Sequence, residues 1–360
     1  MNRTGPAKKK PRVPIPLPAE KPSEALYRLC SSTGVARFVE WKRRNAGVLF
    51  LRIRLCPSIR NVEPDRWDYD SLRDALRLIG RWYRFVSMDE AVSALAGRSP
   101  LLKSSVAVTV SIGSSLPEID LGRLAIECDV PLTVFFCPGA VEAGVHPWYC
   151  VLAFALNGLD GQTVTVGGRR WLLSNYDYRQ LAFADIARQI ASLPLTDRYR
   201  YTEELVSGWR AKPAGSEVIT FREMMRIMRS KRITFGVSGY SGDSLMRLPV
   251  ERALYEIREG FALYRRVFGE EPAHFEYPWG DRSVYLEEFV RNSGYRSGTL
   301  GLNAMDGLNR IGADPFRLAA QNLRPRTPAR IRADLAGVSK QLRPLERFLD
   351  VRTRRADRDF

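Results

Sequence analysis

The 360-residue sequence predicts an α/β fold, a parallel sheet or barrel wrapped by helices. Two observations carry this. Short β-branched runs such as "SSVAVTVSIGSS" and "PLTVFFCPG" recur between stretches of roughly ten to fifteen residues with helical spacing, the pattern of βα units. The chain is also 45% hydrophobic and 10% aromatic, yet no apolar run reaches the ~18 residues that a membrane span needs. That apolar content is enough to bury a substantial core.

Taken in order, residues 1–22 are rich in Pro and Lys and are expected to be disordered. They carry basic side chains with no apolar stretch behind them, unlike a secretory signal. "EALYRLCSSTGVARFVEWKRRN" has helical spacing, and "AGVLFLRIRLCP" alternates as a strand stopped by Pro57. "DYDSLRDALRLIGRWYRFVSMDEAVSALAG" reads as helix, short strand, helix. "SSVAVTVSIGSS" is a strand, and "IDLGRLAIECDVPLTVFFCPG" is a helix and a buried strand. Residues 148–219 break the rhythm with a helix, a small hairpin around Gly167-Gly168 and an amphipathic helix. They are expected to be an insertion on one face rather than a separate core. The βα pattern then resumes through "RITFGVSG", "VERALYEIREGFALYRRVFG", "AHFEYPWG" and "LEEFVRNSGYRSGTL". The C-terminal stretch 323–360 spaces Ile331, Leu335, Val338, Leu342, Leu345 and Leu349 as a helical seam interrupted by Pro344. Docking of this seam on the barrel is the first expectation, ahead of a partner helix or an anionic membrane surface.

Charge sits at the ends. The net charge is +16, of which residues 1–22 hold +5 and residues 323–360 hold +6. Solubilising tails are the first expectation for such ends, ahead of binding to nucleic acid, an anionic membrane or an acidic protein. The five cysteines, Cys30, Cys56, Cys128, Cys137 and Cys150, are odd in number and form no C-x-x-C pair. Buried thiols in a reducing compartment, with the cytoplasm as address, are expected.

Four stretches, in order, resemble the polysaccharide deacetylases of carbohydrate esterase family 4. They are "VAVTVSIGSSLPEIDLGRLAIECDVPLTVFFCPGAV", "HPWYCVLAFALN", "RITFGVSGYSGDSLMRLPVERALYEIREGFALYRRVFGEEP" and "HFEYPWGD". The resemblance covers roughly residues 25–322 and implies a distorted (β/α)7 barrel over 23–322, with the insertion at about 148–219.

The resemblance also implies a site, and the donors of that site are missing. The family's first motif, T-F-D-D-G, supplies a general base and a metal ligand; here the frame is Thr109-Val110-Ser111-Ile112-Gly113. Ser111 stands at the base position, and a hydroxyl without a partner base takes no proton near neutral pH. Ile112 stands at the ligand position and offers no lone pair. The second motif, H-[ST]-x-x-H, reads Ser238-Gly239-Tyr240-Ser241-Gly242, so both imidazoles are replaced. Neither of the two histidines, His146 and His274, falls on a ligand position, and no histidine follows His274 to act as the late general acid. No metal and no other cofactor is therefore expected.

Three acids are candidate substitutes: Asp243, one residue past the second lost histidine, Glu276, where many members carry an Arg, and Asp281 after "YPWG". Paired carboxylates can run hydrolysis without a metal. Solvated loop acids are the first expectation for all three. Tyr277-Pro278-Trp279-Gly280 matches the third motif, which in the family lines the substrate groove. Ser111, Ser238, Tyr240 and Trp279 would project at the same barrel face. On the first strand, Arg52 and Arg54 share a face with Val48 and Phe50; pairing of Arg54 with a loop acid at the rim is the first expectation, ahead of its entering the groove to meet a carboxylate or phosphate.

The functional expectation is a catalytically inactive deacetylase-like protein that binds a glycan or glycoconjugate, or a protein partner, in bacterial surface-polysaccharide metabolism. The alternatives are an active carbohydrate N- or O-deacetylase with an unconventional site, and an electrostatic binder of nucleic acid or anionic membrane acting through the basic ends.

Overall fold

The computed structural model describes residues 22–344, apart from 35, 37, 40–45, 56–66, 101–103, 160, 211–216, 301–305, 340 and 343. The basic end at 1–21, the last residues of the C-terminal seam, Leu345 and Leu349 among them, and Cys56 lie outside the described residues.

Seven parallel pairings around the ring build the barrel among the described residues. Strand β1 (Gly47–Arg54) pairs with β3 (Ser105–Gly113), and β2 (Arg84–Val86) adds to the start of β3. β3 pairs with β4 (Leu132–Phe136). A two-stranded excursion, β5 (Thr163–Val166) and β6 (Arg169–Leu172), belongs to the inserted segment. The order then runs from β4 through β7 (Ile233–Val237) and β8 (His274–Tyr277) to β9 (Ser297–Leu300), all parallel. β10 (Leu308–Arg310) lies antiparallel on the start of β1. Closure comes from residues 318–322. Their first half, β11 (Leu318–Ala319), pairs with β9, and their second half, β12 (Gln321–Asn322), pairs with β1. One short segment thus joins the two sheet edges and makes the seventh staff of a distorted (β/α)7 barrel.

The alternation along β1 has two destinations. Leu49, Leu51 and Ile53 pack outward with Leu72, Leu76 and Ile79 of helix Tyr69–Gly80. Val48 and Phe50 pack inward with Ala107, Phe135, Leu318 and Ala320. Arg52 belongs to that inward face and is buried. Phe135 fills the interior against Gly236, where an added Cβ would come within 2.5 Å of its ring. The barrel is consequently a packed core rather than a pore. Its floor is covered by helix Met88–Leu95, whose Met88, Ala91 and Leu95 join the inner cluster. His274 ties that floor in place: Nδ1 is 2.9 Å from the Ser297 hydroxyl and Nε2 is 3.5 Å from Asp89.

The insertion has its own hydrophobic cluster, correcting the expectation that it shares the barrel core. Helices Trp148–Asn157 and Tyr176–Ala191 and the β5–β6 hairpin bury Leu152, Leu156, Val164, Val166, Ala182, Ile186 and Ile190 together. The hairpin turns at Gly167 and Gly168, both with positive φ, as its two-residue loop requires. At the far end, helix Pro328–Leu335 lies against helix Pro22–Ser32. Tyr27 packs with Ala333 and Ala336, the Thr327 hydroxyl donates to Glu24, and the Arg330 guanidinium stands 4.6 Å from the Tyr27 ring centre. Ile331 and Leu335 of the predicted seam enter the main core.

Candidate functional site

At the barrel's carboxyl-terminal face, β3 bulges after Ser111 as its register on β4 shifts. Ile112, where the resemblance implies a ligand, is fully buried in the outer core with Val110 and Val134. Ser111 faces inward, where its hydroxyl donates to Glu276 Oε1 at 2.7 Å. Arg52 Nε lies 2.9 Å from the same carboxylate oxygen and 2.9 Å from the Ser111 hydroxyl. All three side chains are buried. One carboxylate oxygen thus serves both the guanidinium and the Ser111 hydroxyl. Where the resemblance implies an arginine on the third motif this chain has Glu276, and the arginine facing it, Arg52, comes from β1. Sequence reasoning singled out Arg54, which is half-buried at the strand end, and left Arg52 without a role.

The second-motif loop keeps its path through backbone contacts. Ser238 N–H donates to Phe136 O at 2.8 Å, and Gly139 N–H donates to Tyr240 O at 2.9 Å. Ser241 N–H donates to Glu256 Oε2 at 2.6 Å, and Arg252 pairs with the other Glu256 oxygen. Burial pushes the Glu256 carboxyl up, against the opposing Ser241 N–H and the Arg252 charge. Gly242, at φ +81°, is crowded: an added Cβ would sit 2.6 Å from Cys137 Sγ and 2.7 Å from the Tyr149 hydroxyl. The volume that a ligand side chain at 242 would use is therefore filled by a thiol and a phenol.

The next residue anchors the insertion. Trp148 Nε1 donates to Asp243 Oδ1 at 2.8 Å, and Arg198 Nη1 donates to the same oxygen at 3.2 Å. Burial pushes the Asp243 carboxyl up, outweighing the Trp148 donor and the Arg198 charge. Burial, with the neighbouring Asp243 charge, also raises the Tyr199 phenol. Trp279, a non-glycine residue at φ +61°, stacks on Trp148 with a centroid distance of 6.3 Å and meets Tyr149 edge-on at 5.0 Å. Its indole N–H donates to Gly242 O at 3.2 Å.

These placements correct the expectation of solvated acids. Asp243 and Glu276 are 1% and 2% exposed, each paired with an arginine. Asp281 is half-buried and accepts from the Ser244 hydroxyl. The three acids share no centre; each is held by a different serine, Ser241, Ser111 or Ser244. Of the expected groove residues, Tyr277, Pro278, Gly280, Ser111 and Ser238 lie beneath the surface, while Arg54, Tyr240 and Trp279 are partly exposed. Tyr240 reaches Glu142 through its hydroxyl at 3.3 Å and packs on Tyr255. Arg198, Glu256, Cys137 and Tyr149 carry much of this geometry and left no mark in the motif spacing.

The residues present do not fit the divalent metal that the resemblance implies. Ile112 and Gly242 have no side-chain donor, Ser238 has a neutral hydroxyl, and space at 242 is taken. Among the described residues, no three His, Cys, Asp or Glu side chains gather into a group that could hold a metal ion. No helix among them is long and apolar enough to cross a membrane.

The closed parallel barrel, with its insertion packed on the motif loops, is the polysaccharide-deacetylase fold. The structure of IcaB from Ammonifex degensii matches it with a TM-score of 0.51 at 18% identity, covering 82% of this chain and 98% of that one. The Streptococcus pyogenes deacetylase PplD, in complex with acetate, matches with a TM-score of 0.50 at 12% identity, covering 79% of this chain and 94% of that one. No protein-family model matches the sequence. No curated protein matches it either, and the likeness is one of fold.

Proposed function

We propose that this chain is a deacetylase-fold protein that has given up metal-dependent hydrolysis and binds a glycan, or a protein partner that handles glycans, at its barrel mouth. The observation that carries the reading is the packing at Gly242, where Cys137 and Tyr149 occupy the room a metal-binding imidazole needs. The partly exposed Arg54, Tyr240 and Trp279 are the surface a ligand would meet. Surface-polysaccharide metabolism in a bacterium, with the protein in the cytoplasm, is the proposed setting. The test is metal content by mass spectrometry on untagged protein, with acetate release from acetylated amino-sugar oligomers. Neither metal nor acetate is expected. Near-stoichiometric metal together with acetate overturns the proposal.

One observation favours a second reading, a carbohydrate deacetylase without a metal: the 2.7 Å contact between Ser111 and Glu276. Acetate release from metal-stripped protein, lost in Ser111→Ala, would establish it. Binding of nucleic acid or anionic lipid through the basic ends is the third reading. It requires affinity that falls steeply with salt and is lost when 1–22 and 323–360 are removed.

A further inference from the structure

On the outer wall of the barrel, helix Val250–Phe268 and helix Val284–Asn292 leave an open groove of about 500 Å³ between them. One wall carries Arg258, Phe261, Arg265 and Arg266, spaced along a single face of the long helix. The other carries Phe289 and Asn292. No carboxylate lines the groove. The Arg258 guanidinium stands 5.7 Å from the Phe289 ring centre and makes no ion pair among the described residues. Arg265 and Arg266 each reach one carboxylate outside the groove, Glu271 at 3.8 Å and Glu142 at 2.8 Å, through side chains that are 64% exposed. Such exposed pairs hold their arginines weakly and exchange readily for a better anion. Phe261 is kept upright by its edge contact with Tyr295, at 5.2 Å and 88°.

We propose that this groove binds an anionic sugar. Guanidinium forks at Arg258 and, about 10 Å further along the helix, at Arg265 and Arg266 would take carboxylate or phosphate oxygens in pairs. The two phenylalanine rings would receive the apolar faces of the sugar rings, and the Asn292 amide a hydroxyl. The volume lies in the range of small-ligand sites. The groove shares no lining residue with the barrel mouth, although Arg266 and the Tyr240 hydroxyl reach the same Glu142 carboxylate from the two sides.

The experiment is calorimetric titration of the full chain with three probes: a uronate hexamer, glucose 1-phosphate and a short oligothymidylate. Saturable binding of at least one sugar probe is expected. Arg258→Ala should weaken it about tenfold, the loss of one charge-assisted contact, and Arg258→Gln with Arg265→Gln and Arg266→Gln should abolish it. Which sugar probe binds distinguishes carboxylate from phosphate. These side chains are exposed, so circular dichroism should be unchanged and a folding failure would be seen directly. Equal affinity of wild type and triple variant for the sugars, or no saturable sugar binding at all, overturns the proposal. So does oligothymidylate binding that exceeds the sugars and is lost in the triple variant, because the groove would then serve nucleic acid.

Discussion

Ser111 and Glu276 come from strands on different sides of the barrel and meet with 2.7 Å between hydroxyl and carboxylate, with Arg52 on the same oxygen. Neutralising Glu276 removes the carboxylate that faces the buried Arg52 guanidinium. Glu276→Gln should therefore destabilise the protein by about 3–5 kcal/mol, measured by urea unfolding. The double variant Arg52→Met, Glu276→Leu should recover most of that loss, since an apolar pair of similar volume needs no counter-charge. If the double variant is as unstable as the single one, the pair is not what Glu276→Gln disrupts.

Rebuilding the second motif should fail. Gly242→Ala already meets Cys137 and the Tyr149 hydroxyl and adds a Cβ at positive φ, so it should cost about 2 kcal/mol or more. A variant with Ser238→His, Gly242→His and Ile112→Asp should unfold more easily still and take up no zinc by mass spectrometry. Stoichiometric zinc in a folded protein would refute the crowding argument.

Asp243 gives a signed pH dependence. Its carboxyl is raised in the folded state by burial. The protonated form is thus favoured by folding, and that contribution is present at low pH and fades as pH climbs through the folded-state value. Asp243→Asn mimics the protonated form at every pH. Its stability deficit against wild type should be largest near pH 4 and smaller near pH 7, read by unfolding curves across that span. A deficit that grows with pH would mean the Arg198 pair outweighs burial.

Trp279 joins barrel to insertion. Trp279→Ala removes the stack on Trp148, the edge contact with Tyr149 and the donor to Gly242 O. The insertion has a hydrophobic cluster of its own, so it should loosen as a unit rather than melt. Faster amide exchange in helices Trp148–Asn157 and Leu195–Gly208, with the β1–β3 ladder unchanged, is the expected signature. Uniform acceleration throughout the chain would count against a local latch.

The alternating strands and the Gly167–Gly168 hairpin are legible because each depends on local period or on residue identity. The two faces of β1 were legible for the same reason. What filled the lost site was not. Asp243 finds Arg198 from 45 residues away, and Ser111 finds Glu276 across 165. No spacing rule carries such pairings, so acids destined for the interior read as loop acids. The separate core of the insertion was hidden for a related reason. An amphipathic helix announces an apolar face but not the surface it will meet.

The closing segment 318–322 has a consequence for synthesis. A nascent chain emerging from the ribosome exposes six staves of the barrel while both sheet edges still lack their shared partner. β10 covers only the start of β1; the two sheet edges are joined after residue 322, and helix 328–335 then meets helix 22–32. Until then β9 and the end of β1 beyond Leu49 are open ladders that another chain could extend. A ribosome stalled shortly before that point would display an adhesive intermediate, and a chaperone that shields open strands would act on this protein late in translation.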